Sequence, residues 1–225
     1  FQFSGHICVF NFPLSQHIVN LAEKDKDAKL PNFSLSLRIV RLKYSENQRN
    51  MKSILGIGNA LTDILAVLPD DSFLNEYHIP RGSMQHVDKE TGDRILQKLK
   101  PLGVQYVAGG SAANTITGTA IFGMRSAFIG KIGDDDLGHL FKSDQEQYGI
   151  KSILLKGKNP SGRAMVLITA PNAERTFADY MGAALELVPE DLKPEYFKGY
   201  DYFHIEGYLV QNQALIRKAV EMAKD

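Results

Sequence analysis

From Lys52 onward, short runs rich in β-branched and apolar residues alternate with segments of helical period, and glycines fall at the joints between them. That alternation is the pattern of an α/β layer fold with a largely parallel sheet, whose strands need helices on both faces. Residues 54–58 read as a buried first strand, and residues 64–68 as a second extended run ended by Pro69. Helical patterns follow at 71–77 and 88–99. A strand at 105–108 leads through Gly109-Gly110 into a helix from about 111 to 122, and 127–132 returns as a strand, the three together reading as one βαβ unit. Extended segments at 153–155, 164–169 and 175–180, with turns at Pro160 and Pro171-Asn172, suggest a small secondary sheet or flap. Residues 202–205 form a last strand, and in 212–224 Leu215, Ala219 and Met222 recur at helical spacing. No capping glycine or closing strand follows Asp225, so the architecture reads as cut short there.

Residues 1–50 are of another kind. They hold no methionine and no clear apolar period, and a charged stretch occupies 23–29. The expectation is a poorly ordered or non-native leader over 1–50, with the folded unit running over 51–225.

Composition narrows what the folded unit can meet. Lys plus Arg number 26 and Asp plus Glu number 26, so no broad field draws in nucleic acid or an anionic membrane, and a ligand must be recognised locally. The lone Cys8 rules out an internal disulfide and a thiolate zinc cluster, and the six histidines show no His-Glu-x-x-His spacing, so no metal site is expected. No apolar run approaches the roughly twenty residues that span a bilayer. A reducing, cytoplasmic setting fits these features.

Two glycine patterns invite phosphate or dinucleotide readings and fail on their neighbours. After Gly56-Ile57-Gly58 the third glycine position of G-x-G-x-x-G is Leu61, whose side chain obstructs tight helix packing. Gly133 and Gly138 have P-loop spacing but are followed by His139 and Leu140, where Lys and Ser or Thr would contact phosphate and magnesium. The run Asp134-Asp135-Asp136 reads as acidic residues facing the positive end of a helix.

The corner Gly109-Gly110-Ser111-Ala112-Ala113-Asn114 is more informative, because two glycines let a ligand approach the backbone where a helix presents unpaired N–H groups. Ser111 can cap that helix, and the Asn114 amide both donates to and accepts from a polyol. The same residues also make an ordinary strand-to-helix turn with a serine cap. Asn59 and Asp63 follow the first strand at its C-terminal end, where open α/β sheets place ligands, and an ionised Asp accepts from two adjacent hydroxyls. As a turn-stabilising residue, Asp63 would have a purely local role.

Three blocks in order, Gly58-Asn59-Ala60-Leu61-Thr62-Asp63-Ile64, then Gly109 to Asn114, then Gly130-Lys131-Ile132-Gly133-Asp134-Asp135-Asp136-Leu137-Gly138, resemble the PfkB/ribokinase family of carbohydrate kinases. Gly-Asn before the Asp, and Gly-Gly-Ser in place of Gly-Gly-Lys-Gly, resemble its adenosine-kinase-like branch. The resemblance implies a ribokinase-like three-layer α/β/α fold with a mostly parallel sheet and a small β lid, its C-terminal part missing. It implies ATP-dependent phosphorylation of a primary hydroxyl of a nucleoside or sugar, with ATP and Mg2+ as cofactors and a possible homodimer through the lid. Asp63 and Asn114 would hold sugar hydroxyls, Gly109, Gly110 and Ser111 would line the sugar, and Asn59 would sit at its edge. Glu206 matches a position where ribokinases use a carboxylate, and Met84 and Arg163 would belong to the lid.

The sequence departs from the family where the chemistry sits: the Gly-Ala-Gly-Asp block, with its anion hole and base, has no counterpart, nor does the ATP-binding region after it. By the resemblance, the catalytic base would fall beyond Asp225, and the expectation is an inactive fragment with no catalytic residue of its own. Alternatives are a sugar kinase acting on ribose, fructose or a ketodeoxy acid, a non-catalytic sugar- or nucleoside-binding module, and a fragment whose uncovered strand edges keep it from folding stably.

Overall fold

The computed structural model describes residues 51–169 and 172–224, together with a two-residue strand at Ile7–Cys8 (β1). The rest of 1–50, and with it the expected leader, lies outside the described residues. So does Asp225, after which the architecture was expected to be cut short. The chain continues with β2 (Ser53–Ile57), β3 (Leu61–Leu68), α1 (Ser72–Glu76), β4 (Met84–His86), α2 (Lys89–Leu99), β5 (Gln105–Gly109) and α3 (Ser111–Ile121). Then come β6 (Arg125–Ile132), α4 (Asp136–Gln147), β7 (Lys151–Lys156), β8 (Gly162–Thr169), β9 (Glu174–Tyr180), β10 (Tyr202–Ile205) and α5 (Gln213–Lys224), with single 3-10 turns between β9 and α5.

The first sheet runs β1-β10-β2-β6-β7, with every neighbouring pair parallel. All five residues of β2 are buried, as befits a strand paired on both edges and covered on both faces. Ile54 and Phe128 pack with Ala112, Ala113 and Ile116 of α3 and Phe141 of α4 on one face. Leu55, Ile57, Ala127 and Ile129 pack on the other face against Leu215 and Ala219 of α5 and the turns around Leu187 and Leu192. The result is the three-layer arrangement expected of a mixed α/β chain.

The second sheet runs β4-β9-β8-β3-β5. β3 pairs parallel with β8 and antiparallel with β5, while β9 pairs antiparallel with β8 and parallel with β4. One face of it covers a separate core in which Ala66, Leu68, Met165 and Leu167 meet Leu74 of α1 and Ile95 and Leu99 of α2.

Two sequence expectations change here. β5, α3 and β6 do not form a βαβ unit within one sheet, because β5 crosses to the second sheet and pairs antiparallel with β3, while β6 stays in the first. The alternating exposure of Gln105 to Ala108 fits a half-covered strand, and its pairing with β3 assigns its sheet. The 153–155 run, grouped with the flap, is part of β7 and pairs parallel with β6 at the edge of the first sheet. A short apolar run carries no information about its partner strand. β4 was not anticipated: its three residues are all exposed and are held in place by pairing with β9.

Gly56 and Gly58 let α3 close on the first sheet. A methyl on Gly56 would lie 2.4 Å from Ile116 Cγ1, and one on Gly58 would lie 2.7 Å from Ala112 Cβ. Their spacing thus serves helix packing. The acidic run before α4 is structural too: Asp135 Oδ1 accepts from Gly138 N at 2.9 Å and from Ser161 Oγ at 2.6 Å, and its Oδ2 accepts from Ser161 N at 2.7 Å. No helix among the described residues is long and apolar enough to cross a membrane.

Phe128 is fully buried between the strands and α3, with its ring centroid 5.8 Å from that of Phe141. Phe128→Ala is expected to lower the unfolding free energy by about 3–5 kcal/mol, read as a reduced urea midpoint.

Candidate functional site

The ends of the first sheet and one face of the second enclose a cavity of about 550 Å³. From the first sheet come Asn59, just after β2, and Glu206, just after β10. The first turn of α3 adds Gly110, Ser111, Asn114 and Thr115. The second sheet contributes a register row in which Asp63 pairs with Ala164, Ala164 with Asp179, and Asp179 with His86. Because side chains alternate along strands, Leu61 joins that face from β3, Met84 from β4, and Arg175 and Phe177 from β9.

The glycine corner is set by contact distances. Gly110 has φ of 87°, and a methyl there would lie 2.4 Å from the Asn59 carbonyl oxygen, so only glycine passes. Gly110 also occupies the position before α3, and no side chain caps the helix. Ser111, expected to cap, is instead the first helical residue; a capping side chain must come from the residue before it. The first amides of α3, at residues that line the cavity, are therefore left without a side-chain cap. Gly109 does not line the cavity but makes room behind Asp63, since a methyl there would lie 2.0 Å from Asp63 Oδ1.

Carboxyl groups crowd the site. Burial pushes the Asp63 carboxyl up to about 6, against the nearby Arg175 charge, which favours ionisation. Burial, reinforced by the charge of Asp63, pushes Asp179 up to about 7. Glu206 is held by two neighbours: its Oε1 accepts from Thr115 Oγ at 3.2 Å and lies 2.9 Å from His204 Nε2. Two buried oxygens on residues that line the cavity, Asn59 Oδ1 and Asp179 Oδ1, have no hydrogen-bond partner. Such atoms are unfavourable in a folded chain unless a ligand or water supplies the donor.

The structure therefore brings together Asn59, Asp63, Gly110, Ser111, Asn114, Met84 and Glu206 of the residues singled out from sequence, with Gly109 behind them. Arg163 lies elsewhere. It is 6% exposed, pairs with Asp93 and sits 5.1 Å from the Tyr180 ring centroid, on the face of β8 opposite Ala164. Asp225, beyond which the resemblance puts the catalytic base, lies outside the described residues. Sequence reasoning passed over Thr115, His86, Arg175, Phe177 and Asp179. For the last three the signal was present as a polar-apolar-polar set at every second residue of a strand. Among the described residues no group of three His, Cys, Asp or Glu is placed to hold a metal.

A parallel sheet whose strand ends meet a glycine-opened helix start, faced by a second sheet carrying carboxyl groups, is the kind of place where open α/β folds put their ligand sites. The chain belongs to the pfkB family of carbohydrate kinases, whose profile it matches over residues 85–224. Among solved structures it is similar to adenosine kinase from Sinorhizobium meliloti, at 34% identity and a TM-score of 0.68, covering 76% of this chain and 53% of that one. It is also similar to a probable sugar kinase from Rhizobium etli, at 30% identity and a TM-score of 0.68, covering 76% and 52%. Among curated relatives, 5-dehydro-2-deoxygluconokinase of Bacillus subtilis is 27% identical over 191 residues, 81% of this chain and 51% of the relative. Probable fructokinase-3 of Arabidopsis thaliana is 27% identical over 129 residues, 55% of this chain and 37% of the relative. The chain thus spans about half or less of the length of these relatives.

Two outcomes follow from the site. Asp63 and Asp179 keep their protons in the folded chain to about 6 and about 7, whereas unfolded carboxyls lose them near 3.8. The folded state then binds more protons than the unfolded one between those values, so its stability falls as pH rises from about 4 to about 7. The ligand-free unfolding midpoint is expected to be higher at about pH 5 than at about pH 7.5, and Asp63→Asn with Asp179→Asn is expected to flatten the slope. Gly109→Ala is expected to displace the Asp63 carboxyl and lower stability by about 1–3 kcal/mol, measured by urea unfolding.

Proposed function

We propose that this chain supplies the acceptor-binding part of an enzyme that passes the γ-phosphate of ATP to a primary hydroxyl of a nucleoside or sugar, with a nucleoside preferred. The observation that carries the reading is the convergence of Asp63, Asn114 and the uncapped start of α3 on one cavity beside the unpartnered Asn59 Oδ1. A carboxyl, an amide and backbone N–H groups together match the alternating donors and acceptors of a vicinal diol. The apolar side formed by Phe177, Met84 and Met181 favours a nucleoside, because a planar base gains contact there that a bare sugar cannot use. Likeness to an adenosine kinase at 34% identity supports the same choice. The curated fructokinases and 5-dehydro-2-deoxygluconokinases favour a second reading, a sugar as acceptor.

ATP and Mg2+ belong to the proposal for the whole enzyme. The glycine turn of this chain that most resembles a phosphate loop does not fit a phosphate: a methyl at Gly133 would meet Ser161 N at 2.6 Å, and the Asp135 carboxylate already occupies the amide of Gly138. With no Gly-Ala-Gly-Asp block in its 225 residues, this chain is assigned binding and orientation of the acceptor and no part of the transfer step.

Thermal unfolding of the purified chain with adenosine, inosine, ribose or fructose tests the reading, since a ligand that binds the folded state raises its midpoint. Adenosine is expected to raise the midpoint, Asp63→Ala to abolish the rise, and ATP with Mg2+ to yield no phosphorylated product. A cooperative transition that no nucleoside or sugar moves would overturn the proposal, and a response confined to fructose or ribose would select the sugar reading.

A further inference from the structure

Asp179 is 3% exposed, lines the cavity, and carries a buried Oδ1 with no hydrogen-bond partner. Its place in the sheet puts the side chain on the cavity face. Asp63 and Asp179 lie in one register row with only Ala164 between them, so their backbones stand two strand spacings apart, about 10 Å, on the same face. The methyl of Ala164 leaves the space above it open to a ligand that bridges the two carboxyls. One pair further along the same two strands, Met84 lies beside Phe177, so an apolar platform borders the Asp179–His86 pair.

We propose that Asp179 is a specificity-determining residue that receives a hydrogen bond from the amino-bearing edge of a heterocyclic base, at the opposite end of the ligand from the hydroxyls held at Asp63. This rests on the reading of the cavity as a sugar- or nucleoside-binding site. A nucleoside whose sugar is held at Asp63 brings its planar base to the apolar platform of Phe177 and Met84, beside the unpartnered oxygen. Arg175, His86, Asp63, Glu206 and Tyr208 are the other ionisable groups that line the cavity, and none of them forms a hydrogen bond with Asp179 Oδ1.

Calorimetric titration of the 225-residue chain with adenosine, with purine riboside, which lacks the exocyclic amine, and with ribose separates the possibilities. Asp179→Ala is expected to weaken adenosine by about tenfold or more while leaving purine riboside and ribose within about twofold, the scale of one buried hydrogen bond. Asp179→Asn, which keeps an acceptor oxygen, is expected to retain most of the adenosine affinity. Without ligand, both variants are expected to unfold at a higher temperature than the parent at neutral pH, because an unpartnered buried carboxyl has been removed. A lower ligand-free midpoint with an equal loss for every ligand would assign Asp179 a structural role and overturn the proposal. Unchanged adenosine binding, with Asp63→Ala still abolishing it, would overturn the proposal for Asp179 and leave the acceptor site standing. No binding of any of the three by the parent chain would overturn both.

Discussion

Everything at the cavity depends on how closely α3 approaches β2. That helix starts where it does because Gly110 turns the chain at positive φ against the Asn59 carbonyl, and it lies flat on the sheet because Gly56 and Gly58 present no side chains to Ile116 and Ala112. A single added methyl at any of these positions would push the helix off its seat. With the helix seated, its first amides, Asn114 and Thr115 are aimed at the strand ends, and Thr115 reaches Glu206 on a strand 91 residues away in sequence. Close packing of backbone on backbone is what converts a glycine-rich stretch into a rigid wall.

The opposite wall is built on another principle. The second sheet turns one face to α1 and α2 and the other to the cavity, so its strands alternate between a dry core and a polar surface. On the cavity face it carries Asp63 and Asp179 in an environment that holds both well above the usual carboxylate range. Two such groups one alanine apart, with one oxygen unpartnered, are unfavourable in the free chain, and a bound donor would relieve both the desolvation and the mutual repulsion.

Local pattern alone determined much of this chain. Alternating periods placed β2, β6, β8, β9, β10, α1, α2, α3 and α5 to within a few residues, and the chemistry of Gly109-Gly110, Asn59, Asp63 and Asn114 marked the corner that opens on the cavity, because strand ends and helix starts have local signatures. What local pattern does not hold is partnership between strands. β5 and β7 read as plausible members of either sheet, and only pairing with β3 and with β6 decided between them. Arg163 and Asp179 show the same limit at the level of single residues: both are polar positions on lid strands, yet the pleat sends Arg163 to Asp93 and Tyr180 and sends Asp179 into the cavity. The face a side chain takes follows from sheet register, and register is set by contacts between segments far apart in the chain, which no window of sequence contains.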